Sequence, residues 1–471
     1  THRRRQRATP VGWSCATRAA ATRAACTTMP TCGPACRAHL HRRHHPHPHP
    51  QQKRIAIIGS GISGQTCGYL LSKKHHTTLF EANDCLGGHT ATIDLAIEGK
   101  TLAVDTGFIV FNDRTYPNFI KMMNQIGVAS KPTEMSFSVH NKATGLEYNG
   151  HSLNTLFAQR RNLLNPRFYY FIFEILRFNR LSKKANESSQ DNQGSLGEFL
   201  DKYGFSDYFS THYVLAMTAA IWSASIDSCR DFPLQFFLNF LSNHGLLDIA
   251  NRPQWYVIEG GSRNYIPGLT QTIQDIRLNA SVTSVTRFKG GVEITSEGQT
   301  ETFDEVIFAC HSDQALALLS DPSEAETQVL SAINYRVNDV VLHTDKTILP
   351  QRKRAYASWN YCIDPQVDTL PTLTYNMNIL QGLQTEQDLC VTLNQTSRIA
   401  PQHILRRFTY SHPVFTLESI AAQKLRSKIC GHRLTHFCGA YWYNGFHEDG
   451  VRSALDVCHR FGLSLDNVDS T

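Results

Sequence analysis

A short β-branched run, Arg54-Ile55-Ala56-Ile57-Ile58, passes directly into Gly59-Ser60-Gly61-Ile62-Ser63-Gly64, and this junction constrains the chain more than any other feature. The run predicts a buried parallel strand. Residues 65–73 carry a helical pattern, and Thr77 to Phe80 predict a second strand that ends at Glu81. Glycines at these positions permit a tight turn, close approach of a pyrophosphate to the backbone, and close packing of helix on strand. The helix N-terminus offers free N–H groups to phosphates. Glu81, followed by Ala82, lies about 20 residues on, where a carboxylate accepts hydrogen bonds from ribose hydroxyls. A chance glycine turn is the competing explanation, and it accounts for neither the second strand nor the terminal acid.

The chain of 471 residues is long enough for two or three domains. Its 41% hydrophobic and 18% charged residues are ordinary globular composition. No apolar run reaches the roughly 18 residues of a membrane span. The formal charge of +6 is misleading, because nine of the 46 Lys and Arg fall in residues 1–50, which hold no Asp or Glu. The remainder carries 37 bases against 40 acids, or −3, so nucleic acid is not expected as a partner. Four of the 13 Cys sit in the same stretch, and the other nine are scattered without paired spacing. That argues for an intracellular, reducing compartment and against a disulfide framework or a metal site.

Residues 1–50, rich in Arg, Ala, His and Pro, are expected to be a disordered leader or tail. An acid-free, Arg-rich leader is compatible with an organellar transit peptide, and otherwise the protein is expected in the cytoplasm; the lack of an apolar signal core argues against secretion. His44 to His49 and the Cys32/Cys36 pair define no coordination geometry.

Further motifs lie downstream: Leu86-Gly87-Gly88-His89-Thr90, a predicted hairpin closing at Val104-Asp105-Thr106-Gly107, and Phe437-Cys438-Gly439-Ala440 running on to His447-Glu448-Asp449-Gly450. Together with the first loop they resemble the FAD-dependent amine oxidase superfamily, which includes monoamine and polyamine oxidases, protoporphyrinogen oxidase and phytoene desaturases, over residues 53–462. The resemblance implies an α/β fold: a Rossmann-like FAD-binding domain (glutathione-reductase-like, amine-oxidase type) with an inserted α+β substrate domain. Residues 51–130, 255–325 and 425–465 would form the discontinuous FAD-binding domain, and 131–254 with 326–424 the substrate domain. By the same resemblance Gly439 and Ala440 would lie near the ribityl chain and pyrophosphate, His447 to Gly450 near the isoalloxazine, and the backbone of Val285 at the adenine. A helix N-terminus there would stabilise negative charge on reduced flavin. No second Gly-x-Gly-x-x-Gly occurs, which disfavours a separate NAD(P)H domain.

Asp105 to Asn112, Ala220 to Ser223, Asn243 to Leu247, Glu259 to Arg263, Val341 to Asp345 and Ala357 to Asn360 resemble a narrower group, the predicted NAD/FAD-binding oxidoreductases associated with cyclopropane fatty-acid synthases. Amine oxidases carry a lysine on the strand flooring the cavity, whereas the comparable strand, about 338–343, offers Asn338, Asp339 and His343. They also carry a Glu where Tyr441 stands. Both departures weigh against amine oxidation.

On the substrate side, His343 and Asp345 are the candidate acid and base, although a strand-end histidine is more often structural. Arg263 is a candidate for flavin or an acidic head group, and Trp359 and Asn360 for shaping the flavin face. Cys438 is expected to be an inert core thiol. Aromatics from Phe168 to Phe178 and from Phe232 to Phe240 predict a helical core, or alternatively a greasy cavity or a peripheral membrane collar flanked by Arg160, Arg161, Arg167, Arg177 and Arg180. The resulting expectation is an FAD-dependent oxidoreductase that passes hydride from a small hydrophobic substrate, a lipid or fatty-acyl chain, to flavin N5, with an external electron acceptor. A flavin-containing amine oxidase and a flavin-binding accessory subunit without turnover are the alternatives.

Overall fold

The computed structural model describes residues 52–188, 190–222, 224–248, 251–364 and 372–467; the expectation for residues 1–50 lies outside them. At its centre is a five-stranded parallel sheet. Arg54–Ile58 lies between His76–Phe80 and Glu305–Phe308, Asp275–Arg277 flanks one side, and Thr435–Phe437 flanks the other. Continuous apolar runs suit these strands because both faces are covered. The helices Ile62–Leu71 and His447–Arg460 pack on the sheet, and every residue of the first is buried.

The segment from Gln299 to Phe308 is two strands. Gln299–Phe303 closes a three-stranded antiparallel sheet with Val282–Phe288 and Gly291–Ser296, whereas Glu305–Phe308 joins the parallel sheet. Asp304 is the pivot: its N–H donates to the Arg54 carbonyl at 2.8 Å and its carboxylate accepts the Arg54 N–H at 2.6 Å. This clamp forces the chain to change sheets.

A seven-stranded sheet draws its strands from 137–149 and 334–414, with Asn334–His343 between Ile404–Val414 and Cys390–Leu393. Helices from Leu153 to Asn243 pack against it around an aromatic core that includes Phe168, Phe171, Phe178, Phe209 and Phe237. No helix among the described residues is long and apolar enough to cross a membrane.

Candidate active site

The glycine loop turns at the carboxyl end of the central strand. Gly59 adopts φ +105°, and a Cβ there would stand 2.5 Å from the Ala309 carbonyl oxygen. A Cβ on Gly64 would meet the Gly59 carbonyl at 1.9 Å, so the helix can approach the strand only without one. At Gly61 a Cβ would meet nothing within 4 Å. Gly61 is the N-cap of Ile62–Leu71; no side chain caps that helix, and no acid sits in its first turn. The outcome is an open face of free N–H groups at the positive end of a helix dipole, which suits a diphosphate.

Glu81 lies beside this face. Its carboxylate accepts the Ser60 hydroxyl and the Ser60 N–H, the latter at 3.2 Å, as well as the Asn83 N–H at 3.1 Å. Ala82, next along, is exposed. The Ser60 hydroxyl oxygen also accepts the Gly87 N–H at 3.2 Å, tying the second glycine segment to the first. A Cβ on Gly88 would stand 3.0 Å from Gly61 Cα, and one on Gly107 would stand 2.1 Å from the His89 carbonyl oxygen, which accepts the Phe108 N–H at 2.7 Å. Thr106 Oγ1 bonds Tyr410 Oη at 2.9 Å. From the far end of the sequence, the Gly450 carbonyl accepts the Ser63 hydroxyl at 2.9 Å, and a Cβ on Gly450 would strike Ile62 at 2.6 Å. Two helix N-termini thus meet at one crevice above the carboxyl ends of the parallel strands, where ligands of open α/β sheets bind. Gly439, at φ +153°, gives its N–H to Ser453 at 2.8 Å and leads into the turn Ala440–Trp442, where Tyr441 Oη and Trp442 Nε1 are buried without partners.

A model of the flavin-containing amine oxidoreductase family matches residues 62–460. The chain belongs to that family. It is an FAD-dependent oxidoreductase, and the open phosphate cradle with its neighbouring carboxylate fits FAD. No curated protein sequence matches it significantly. Among solved structures it is similar to the fatty acid isomerase of P. acnes that produces CLA (TM-score 0.63, 16% identity, 87% of this chain and 99% of that one). It is also similar to cyclohexylamine oxidase from Brevibacterium oxydans IH-35A (0.63, 13%, 87% and 100%) and to putrescine oxidase bound to putrescine (0.61, 14%, 87% and 99%). At such identities the likeness is one of fold.

Beside the crevice this flavoprotein gathers three histidines, of which only His89 was expected at the cofactor. The His89 ring lies 5.4 Å from that of His412 and 6.4 Å from that of His311, and His311 stacks on Tyr335 at 4.5 Å. Burial pushes His89 and His311 down to about 4 and His412 to about 3, so all three are neutral at ordinary pH. A relay fixes the His412 tautomer. The Asp339 N–H donates to Asn394 Oδ1 at 3.0 Å, Asn394 Nδ2 to Asn338 Oδ1 at 2.8 Å, and Asn338 Nδ2 to His412 Nδ1 at 2.8 Å. The His412 proton therefore sits on Nε2. Asn338 stands on the strand compared with the lysine-bearing strand of amine oxidases. A cavity of about 450 Å³ reaches His412, walled by Trp222, Phe232 and Phe415 with Arg336 among them. Arg336 Nη1 is buried without a hydrogen-bond partner.

Several expected site residues are engaged elsewhere in the flavoprotein. His343 bonds Thr392 Oγ1 at 2.6 Å and accepts the Asp345 N–H at 3.0 Å. Asp345 holds the Thr347 and Ala400 N–H groups, each at 3.0 Å. Both pin loops, and His343 lies eight residues along its strand from Tyr335, roughly 26 Å away at 3.3 Å per residue. Neither lines the cavity at His412, which corrects their assignment as acid and base. Val285 is fully buried, and its carbonyl already accepts the Ser320 N–H at 3.0 Å and hydroxyl at 3.2 Å, so its backbone is not open to adenine. Glu448 accepts the Asn118 and Phe119 N–H groups at 3.0 and 2.8 Å and so caps the helix Pro117–Ile126; Asp449 accepts the Phe446 N–H at 3.0 Å. Burial pushes both acids up to about 7. Of that segment, His447 stacks on Phe108 at 3.7 Å and bonds Tyr265 Oη at 2.6 Å.

Arg263 pairs with Asp94 rather than facing the crevice, and Asn360 is spent on Ser138, Ala357 and Thr374. Trp359 stands edge-on to Tyr375. Cys438 is buried, 4.0 Å from the Cys67 sulfur, as an inert thiol should be.

Proposed function

We propose that this flavoenzyme removes hydride from a C–H bond of a long acyl chain with an acidic head group, in a desaturase- or dehydrogenase-like reaction. The observation that carries the reading is the cavity at His412: an aromatic wall suits an acyl chain, and the buried, unpartnered Arg336 Nη1 suits a carboxylate or phosphate. When bound, FAD supplies the hydride acceptor at N5. The loop from Gly59 to Gly64 and the first turn of Ile62–Leu71 would hold the pyrophosphate. Glu81 would accept hydrogen bonds from the ribose hydroxyls, and Gly87, Gly88, His89, Thr106, Gly107, Gly439 and Ala440 would line the remaining length. His412, kept neutral by burial and held in one tautomer by Asn338, carries its N–H donor on Nε2. Asn338 is a positioning residue. That a fatty acid isomerase shares this fold is consistent with such a substrate.

Oxidation of an amine is the second reading, and the carboxylates of Glu198, Asp231 and Glu418 in the cavity lining favour it. The deciding experiment follows the oxidised flavin band under anaerobic conditions while long-chain fatty acids and then primary amines are added. Bleaching by a fatty acid, weakened at least tenfold in Arg336→Gln and absent with the methyl ester, supports the acyl reading. Bleaching by amines alone overturns it.

A further inference from the structure

Seven of the twelve exposed large apolar side chains among the described residues fall between Leu153 and Leu176. Leu163 and Leu164 end a short turn, with Leu164 89% exposed, and the helix Pro166–Asn186 follows. That helix buries Phe168, Phe171, Phe178 and Ser182 against the aromatic core. Its other side carries Tyr169, Phe173 and Leu176 at i, i+4 and i+7, with Tyr170 alongside, all exposed. A single surface residue of this kind needs no explanation, but a contiguous group does.

The unpaired charges along this segment share one sign. Arg160, Arg161, Arg167, Arg177, Arg180 and Lys184 make no ion pair with a described residue. The one carboxylate between residues 153 and 186, Glu174, is buried and accepts the Ser206 N–H and hydroxyl at 2.9 and 2.6 Å. Beyond residue 50 the chain is net acidic by three charges, so this cationic collar is a local feature.

We propose that the face formed by Leu163, Leu164, Tyr169, Tyr170, Phe173 and Leu176 docks on an anionic phospholipid surface, with the helix lying in the plane of the interface. An apolar stripe flanked by Arg and Lys matches both layers of such a surface: the stripe enters the acyl boundary and the cations meet the headgroups. Tyrosines at its edge suit the wet side of that boundary. A second copy of the chain fits less well, because a two-fold contact would set one cationic collar against the other. The inference goes beyond the substrate reading and does not depend on it, since an amine oxidase could dock in the same way.

The test is co-sedimentation of the FAD-loaded full chain with vesicles of phosphatidylglycerol and phosphatidylcholine, compared with phosphatidylcholine alone. Binding at least tenfold tighter to the anionic vesicles is expected, weakening as salt is added. Residues 1–50 bring nine further cations, so a variant pair that leaves charge unchanged decides the matter. Leu164→Ser with Phe173→Ser should weaken binding at least tenfold while the flavin spectrum stays the same. Arg161→Gln with Arg180→Gln should weaken it by about fivefold for each charge removed. Undiminished binding of the Leu164→Ser, Phe173→Ser protein, or no binding by the parent, overturns the proposal. So does a parent dimer that the same pair of substitutions converts to monomer, which would identify a second copy as the occupant.

Discussion

Asn338 Nδ2 donates to His412 Nδ1 across 2.8 Å, on two adjacent strands of the seven-stranded sheet. Asn338 itself is oriented by Asn394, so the imidazole is held in one tautomer with its remaining donor on Nε2. Asn338→Leu should leave the buried Nδ1 without a donor, destabilise the fold by about 1–3 kcal/mol, and mix the tautomers in the ¹⁵N spectrum. If Nε2–H positions substrate, flavin reduction slows about ten- to a hundredfold. Unchanged reduction with mixed tautomers would exclude His412 from the substrate cavity's chemistry.

The two helix-side glycines separate folding from cofactor binding. Gly64→Ala drives a Cβ into the Gly59 carbonyl and should abolish soluble expression or lower the melting temperature severely. Gly61→Ala meets open space at φ −65°, so the apoprotein should fold with a stability change within about 1 kcal/mol. Its new methyl nevertheless occupies the diphosphate face, and FAD titration should show affinity lowered at least tenfold. Equal FAD affinity would place the diphosphate elsewhere.

Glu81→Ala should weaken FAD retention, measured as flavin remaining after gel filtration. It should also cost about 1–3 kcal/mol in the apoprotein, because the Ser60 and Asn83 N–H groups lose their acceptor. Retention equal to that of the parent would show that Glu81 holds only the loop.

The histidine cluster sets an acid limit. His89, His311 and His412 titrate near 6.5 when unfolded and near 4 or below when folded. The unfolded chain thus binds more protons between these values, and their contribution is present above pH 6.5 and lost as pH falls toward 4. At about 1.4 kcal/mol per unit each is worth on the order of 3–5 kcal/mol, His412 the most. His412→Gln should flatten the fall in melting temperature between pH 6 and 4; an unaltered slope would show that His412 is not the group responsible.

Glu448 and Asp449 act with the opposite sign. Raised to about 7, they contribute fully below pH 4 and lose that contribution as pH rises to 7. Glu448→Gln should therefore be more stable than the parent at pH 8, by on the order of 1–3 kcal/mol. A parent at least as stable at that pH would show that Glu448 is ionised without penalty.

Much of the cofactor crevice was legible because its demands are local: three glycines, a strand before them and an acid after the next strand form one continuous pattern. Element ends were less so. The first helix begins at Ile62 rather than Gln65 because Gly61 caps it through backbone alone, and the last begins at His447 because Asp449 reaches back to the Phe446 N–H. The substrate side was misread for a different reason. His343 and Asn338 share one strand, and nothing in a strand's pattern tells which end faces the flavin. His89, His311 and His412 come from a loop, a helix cap and a distant strand, so only tertiary packing assembles them. The one local clue is the diagonal placing of His412, two residues from Tyr410, the register partner of Asn338.

The bond between Ser63 and Gly450 spans 387 residues of chain. At translation rates of about 5–20 residues per second, roughly 20 to 80 s separate the emergence of the first loop from that of the helix that completes it. For that interval the glycine loop has no roof, and the nascent chain has no finished place for a dinucleotide. Flavin loading thus waits until the helix His447–Arg460 has been made, and the cofactor acts as a late clasp between earlier-made and later-made parts of one domain.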